Sequence, residues 1–107
     1  MSILEWMKSL FSRRERYLSS YRSGMSKAKN GDFAGAIADY TETLNAPGAP
    51  ADVLGMAMYN RALAYSAIRD DAKAAEDLKK VLSIPGLPEN IKIAVSQRQE
   101  RLRRREL

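Results

Sequence analysis

Apolar side chains return every three or four residues along most of this chain, the spacing of one face of an α-helix. Ile3, Leu4, Met7, Leu10 and Phe11 begin such a stripe, and Tyr17, Tyr21, Met25 and Ala28 continue it. No Gly or Pro interrupts residues 2–23. The pattern predicts either one helix to about Lys29 or two helices bent near Ser12-Arg13. Asn30-Gly31-Asp32 then ends it: Gly31 supplies the left-handed residue that closes helices, and Asp32 can cap the next one. A second helix is expected over Phe33–Leu44, stopped by Pro47, Gly48 and Pro50. A third begins with Pro50 in its first turn, where a missing N–H does no harm, and with Asp52 near the positive end of the helix dipole. It carries Val53, Met56, Ala57, Asn60, Ala64 and Ile68 at helical spacing. Asp70 and Asp71 mark the next turn, and a fourth helix runs from Asp71 to Leu82. Pro85 to Pro88 break the chain again. A fifth helix, from about Pro88, carries Ile91, Ile93, Ala94, Val95 and Leu102. It ends among Arg101, Arg103, Arg104 and Arg105, favourable charges at a helix C-terminus. No segment alternates with period two, so the fold class is all-α.

The pattern also repeats. Gly24, Ala36, Asp39 and Leu44 fall 38 residues before Ala62, Ala74, Asp77 and Leu82, and Pro47-Gly48-Ala49-Pro50 falls before Pro85-Gly86-Leu87-Pro88. A fixed period of this size marks a helical repeat array, an architecture that builds binding surfaces. Each unit is a long helix, a tight turn, a shorter helix and a Pro-Gly loop. The small residues Gly24 and Ala36, then Ala62 and Ala74, fall where paired helices must approach to their usual 8–10 Å. Phe33, Ile37 and Tyr40, then Tyr65, Leu78 and Leu82, fill the space around them. Asp39 and Asp77 recur at one position, which argues for a structural role.

These residues resemble the tetratricopeptide-repeat family: Gly24, Asn30-Gly31-Asp32-Phe33, Ala36-Ile37, Tyr40, Leu44 and Pro47 in one unit, and Tyr59-Asn60-Arg61-Ala62, Tyr65, Asp70, Ala74, Asp77-Leu78, Val81-Leu82 and Pro85 in the next. The family repeat is about 34 residues, which places the extra length here in Pro47–Leu54. The resemblance implies antiparallel helix hairpins in a right-handed superhelix, with repeats at about 17–50 and 55–88 inside a 13–88 unit. Residues 1–12 are then an amphipathic N-terminal helix, a cap or dimerisation element, and residues 89–107 a basic C-terminal capping helix. It further implies a concave groove lined by the first helix of each unit: Leu18, Tyr21, Arg22 and Met25, then Met56, Tyr59, Asn60 and Leu63, then Arg98 and Arg101. Arg22, Asn60 and Arg98 would form a polar row, with Tyr21 and Tyr59 an aromatic row beside it. Only Asn60 matches the carboxylate clamp that some family members use, so recognition of a peptide C-terminus is not expected. Leu, Met and Tyr suit an apolar or amphipathic helix, anchored at three- and four-residue spacing.

Composition narrows the chemistry. The 107 residues hold no cysteine and no histidine, which removes thiolate chemistry, the commonest general base and the commonest transition-metal ligand. No phosphate-binding loop or metal cluster is legible, so neither catalysis nor a cofactor or metal is expected. No apolar run approaches the roughly 20 residues that span a bilayer. No cleaved targeting segment is expected either, because the basic cluster Arg13, Arg14, Arg16 follows the first apolar stretch. A reducing cytoplasm fits this composition.

Charge is segregated. Residues 1–31 hold seven Lys/Arg against two Asp/Glu, residues 32–88 five against eight, and residues 89–107 six against three. Basic ends flank an acidic middle, as expected for solvated helix faces that favour head-to-tail association. The C-terminal arginines lack the interleaved aromatics of a nucleic-acid surface, so RNA or another polyanion is the weaker reading.

Ile3, Leu4, Trp6, Met7, Leu10 and Phe11 make a large apolar surface that calls for a partner: its own groove, another copy, another protein or a membrane. A membrane-surface reading rests on Trp6 and Phe11 beside Lys8, Arg13, Arg14 and Arg16. The reading this sequence favours is a non-catalytic protein–protein interaction module or scaffold that holds an apolar or amphipathic helical segment in a concave groove, the segment coming from another protein or from another copy of the chain.

Overall fold

A computed structural model describes residues 2–106, with Glu106 as backbone only. Met1 and Leu107, the outer ends of the two predicted terminal segments, lie outside the described residues. Five helices follow one another: α1 (Ile3–Lys29), α2 (Phe33–Asn45), α3 (Ala51–Ala67), α4 (Asp71–Val81) and α5 (Glu89–Glu106). No β-strand occurs among the described residues. α1 is one helix of 27 residues that continues without a break through Ser12-Arg13. Nothing in that stretch removes a backbone donor, and the Ser2 hydroxyl accepts from Glu5 N–H at 3.2 Å to start it.

Each later helix starts and stops for a local reason. Asp32 accepts from Gly35 N–H at 2.9 Å, and Asp70 accepts from Lys73 N–H at 3.2 Å. These are equivalent caps, one per repeat. Each cap follows a residue in the left-handed region, Gly31 at φ 82° and Arg69 at φ 65°. The backbone needs the same turn twice, but only the first unit supplies glycine. An L side chain in that region costs about 1 kcal/mol. Arg69→Gly is therefore expected to raise stability by roughly 0.5–1 kcal/mol, read as a higher urea midpoint at unchanged slope.

Consecutive helices pack on one another, and α3 also touches both α1 and α5. Three-residue turns join the helices of each hairpin and force them to run antiparallel. Gly24, Ala36, Ala62 and Ala74 are all buried. The second hairpin and α5 share a core of Ala62, Ala74, Leu78, Val81, Leu87, Ile91, Val95 and Leu102. Three stripe positions of the sequence reading do not join it. Leu82 is 40% exposed because α4 ends at Val81 and the chain turns outward there. Ile93 lies away from the buried Ile91–Val95–Leu102 edge of α5, and Ile68, at the C-cap of α3, also faces water.

The recurring aspartates hold each hairpin together by different means. Ser23 Oγ donates to Asp39 Oδ2 at 2.5 Å, and Lys27 Nζ lies 3.0 Å from the same oxygen. In the second unit Arg61, the equivalent of Ser23, forks onto Asp77 at 2.7 and 2.8 Å. Burial pushes the Asp39 carboxyl up, but the Ser23 hydrogen bond and the Lys27 charge outweigh it and leave the group below the usual carboxylate range. A depressed carboxylate contributes stability that is present above its unfolded value, near 3.9, and is lost as pH falls through the lower folded value. Asp39→Asn should cost about 1–2 kcal/mol at neutral pH. Urea midpoints of parent and variant should converge as pH drops from 5 towards 2.

Candidate interaction surface

Six large apolar side chains stand along the first nine residues of α1, and all six are exposed. Ile3 is 78% accessible, Phe11 65% and Trp6 55%. Among the described residues only four other large hydrophobic side chains are exposed, and they are scattered singly: Met25 on α1, Ile68 and Leu82 at the C-caps of α3 and α4, and Ile93 on α5. The cause is geometric. α2 has 13 residues and lies against the C-terminal half of α1, where Ser20 and Gly24 are buried. The N-terminal half of α1 carries no buried residue among those described, and it meets the loop at Gly48 through Arg13. Burying such side chains would stabilise by roughly 1.5–3 kcal/mol each.

The groove positions expected from the family resemblance lie in three environments. Tyr21 and Asn60 come together: Asn60 Nδ2 donates to the Tyr21 hydroxyl at 3.0 Å, tying α1 to α3. The Tyr21 ring sits 6.1 Å from Tyr40, and burial holds its phenol above the ordinary value, so the hydroxyl stays neutral. Met56 and Tyr59 pack against the second-unit core. Leu18 and Leu63 are half-buried, while Arg22 and Met25 are exposed. The row of Arg22, Asn60 and Arg98 is thus uneven, since Asn60 is engaged with Tyr21 and Arg22 stands in water.

Arg98 and Arg101 line a cleft between α5 and the end of α3, with Ser66, Leu102 and Arg105. Its volume is about 140 Å³. Arg105 donates to Ser66 Oγ at 3.1 Å and pairs with Asp71. Among the described residues Arg98 and Arg101 have no carboxylate within 4 Å, and Arg98 Nε is buried without a hydrogen-bond partner. Ser66 and Arg105 were not among the expected groove residues. The spacing of Arg98, Arg101 and Arg105 at i, i+3 and i+7 carried the signal for Arg105, because it sets all three on one side of α5.

The described residues hold no group of three or more side chains that could hold a metal ion, and no helix among them is long and apolar enough to cross a membrane. Compared with protein-family models, curated proteins and solved structures, the chain gives no match.

Proposed function

We propose that this chain is a non-catalytic protein–protein interaction module of tetratricopeptide-like build, which holds an amphipathic helical segment along the side formed by α1, α3 and α5. The observation that carries the reading is the bare apolar face of α1, which leads straight into Leu18, Tyr21 and Met25 on the same helix. The superhelical build is supported by the equivalence of the two hairpins: capping aspartates, left-handed turn residues and buried small residues recur at one spacing. The arginine-lined cleft gives such a groove a polar end suited to an acidic side chain on the bound helix. A cytoplasmic setting and the absence of a cofactor belong to the same proposal.

A fluorescein-labelled peptide spanning Ser2–Arg16 is a suitable amphipathic probe for the full chain. Binding is expected to survive a change from 50 to 500 mM salt, because apolar burial dominates it; a polyanion site would weaken steeply over that range. Tyr59→Ala and Leu63→Ala are each expected to weaken binding by roughly tenfold, a change of about 1.4 kcal/mol, with circular dichroism unchanged. If both leave binding intact, the groove assignment is wrong.

A further inference from the structure

One face of α1 follows a seven-residue period that is broken in polarity only at Arg14. Leu4, Phe11, Leu18 and Met25 recur at intervals of seven, with Met7, Arg14, Tyr21 and Ala28 three residues after each. This is the seam of a two-stranded coiled coil, in which alternate spacings of three and four face a second helix. A helix following 3.6 residues per turn drifts away from such a seam, so the period itself indicates a helical partner. In the described structure the N-terminal half of this seam faces no other helix, with Leu4, Met7 and Phe11 all exposed.

The seam specifies its partner. We infer that α1 pairs antiparallel with α1 of a second copy of this chain, centred between Ser12 and Arg13. That register sets Leu4 against Tyr21 of the second copy, Met7 against Leu18 and Phe11 against Arg14. The flanking positions then fall into place. Lys8 meets Glu15 of the second copy, and Glu15 meets Lys8, so one pair of opposite charges is made twice by symmetry. Within one helix Lys8 and Glu15 stand seven residues apart, roughly 10 Å along the axis, too far to pair. Neither has an ion-pair partner among the described residues.

Charge favours a second helix over a bilayer as the occupant: the antiparallel register gives Glu15 a Lys8 partner, which an anionic surface does not, and lays the Arg14 guanidinium over the Phe11 ring of the second copy. The seam also runs on into Leu18 and Tyr21, which are half-buried and keep part of their surface open to a second helix. The inference rests on the interaction-module reading and names its occupant.

Light scattering and sedimentation of the full chain test it by charge exchange. The parent is expected to be a dimer. Lys8→Glu and Glu15→Lys should each raise the dissociation constant by roughly tenfold or more, since each places like charges opposite one another twice. The double exchange Lys8→Glu/Glu15→Lys should return it to within about threefold of the parent. Both substitutions are on the exposed part of α1 and should leave helicity unchanged in all three variants. A chain that is monomeric at all concentrations overturns the inference, and so does a double variant whose effects merely add. Vesicles of phosphatidylcholine and phosphatidylserine supply the competing occupant: tighter binding by Glu15→Lys, with no dimer, overturns it in favour of a membrane. A monomeric chain that still binds the labelled peptide through Tyr59 and Leu63 overturns the pairing and leaves the groove reading in place.

Discussion

Asp77→Ala should lower stability by about 3–5 kcal/mol, the range for breaking one half of a buried ion pair. Asp77 is almost wholly buried, and its two oxygens accept both arms of the Arg61 fork. Arg61 also donates to Thr41 Oγ1 at 3.0 Å, so one guanidinium joins α2, α3 and α4. The hydrogen bonds that Arg61 donates to Asp77 hold its proton more firmly than usual, against the opposing effect of burial. Removing the carboxylate leaves a largely buried guanidinium that cannot neutralise itself and has lost its partner. Against a total of 5–15 kcal/mol for a domain, that loss approaches unfolding. Chemical denaturation followed by circular dichroism measures it directly. Replacing both partners, as Arg61→Met/Asp77→Leu, should recover most of the loss, because an apolar pair of similar volume escapes the desolvation cost. If the double variant is as unstable as Asp77→Ala, the ion pair is not the cause.

Gly24→Ala is the second large effect, expected to cost about 1–3 kcal/mol through overpacking. A Cβ there would stand 2.6 Å from Tyr40 Cε1 and 2.8 Å from Cδ1. That ring is fully buried against Tyr21 and cannot swing away. The second hairpin solves the same contact differently. Ala62 occupies the position of Gly24, and Leu78 that of Tyr40, and both are buried. A larger residue on the long helix is matched by a smaller one on the short helix. Gly24→Ala/Tyr40→Leu copies the second solution into the first unit and should regain part of the loss, giving a thermal midpoint between those of parent and single variant. Equal midpoints for single and double variants would show that the Tyr40 ring is not what the new methyl group meets.

The exchange between the two hairpins also shows what one sequence can and cannot reveal. Helix order and boundaries were legible because their causes are local: Gly31, Asp32, Pro47, Pro50, Asp70 and Pro85 act on their own neighbours. The spacing of Gly24, Ala36, Ala62 and Ala74 was legible because two copies of one pattern can be laid over each other. The partners of Asp39 and Asp77 were not, since Ser23 and Arg61 lie 16 residues away on another helix and differ in type. Arg69 hid its turn, because an arginine in the left-handed region looks like any surface residue. Leu82 misled because its spacing fits the stripe while the helix stops one residue earlier. Within the candidate surface, the face of α1 was legible from periodicity alone. The Tyr21–Asn60 hydrogen bond and the Ser66–Arg105 corner depend on how far apart three helices lie, and periodicity carries no such distance.

The continuity of α1 through Ser12-Arg13 makes its projecting half a stiff lever rather than a tethered hook. Each added residue would swing the apolar face by about 100° around the axis, so one insertion near Ser12 aims Phe11 at open water while its chemistry is unchanged. Adding seven residues, close to two full turns, would restore the aim and carry the face about 10 Å farther out. The length of this helix therefore sets the bearing of the face relative to the body it grows from, and only insertions close to whole turns would keep that bearing.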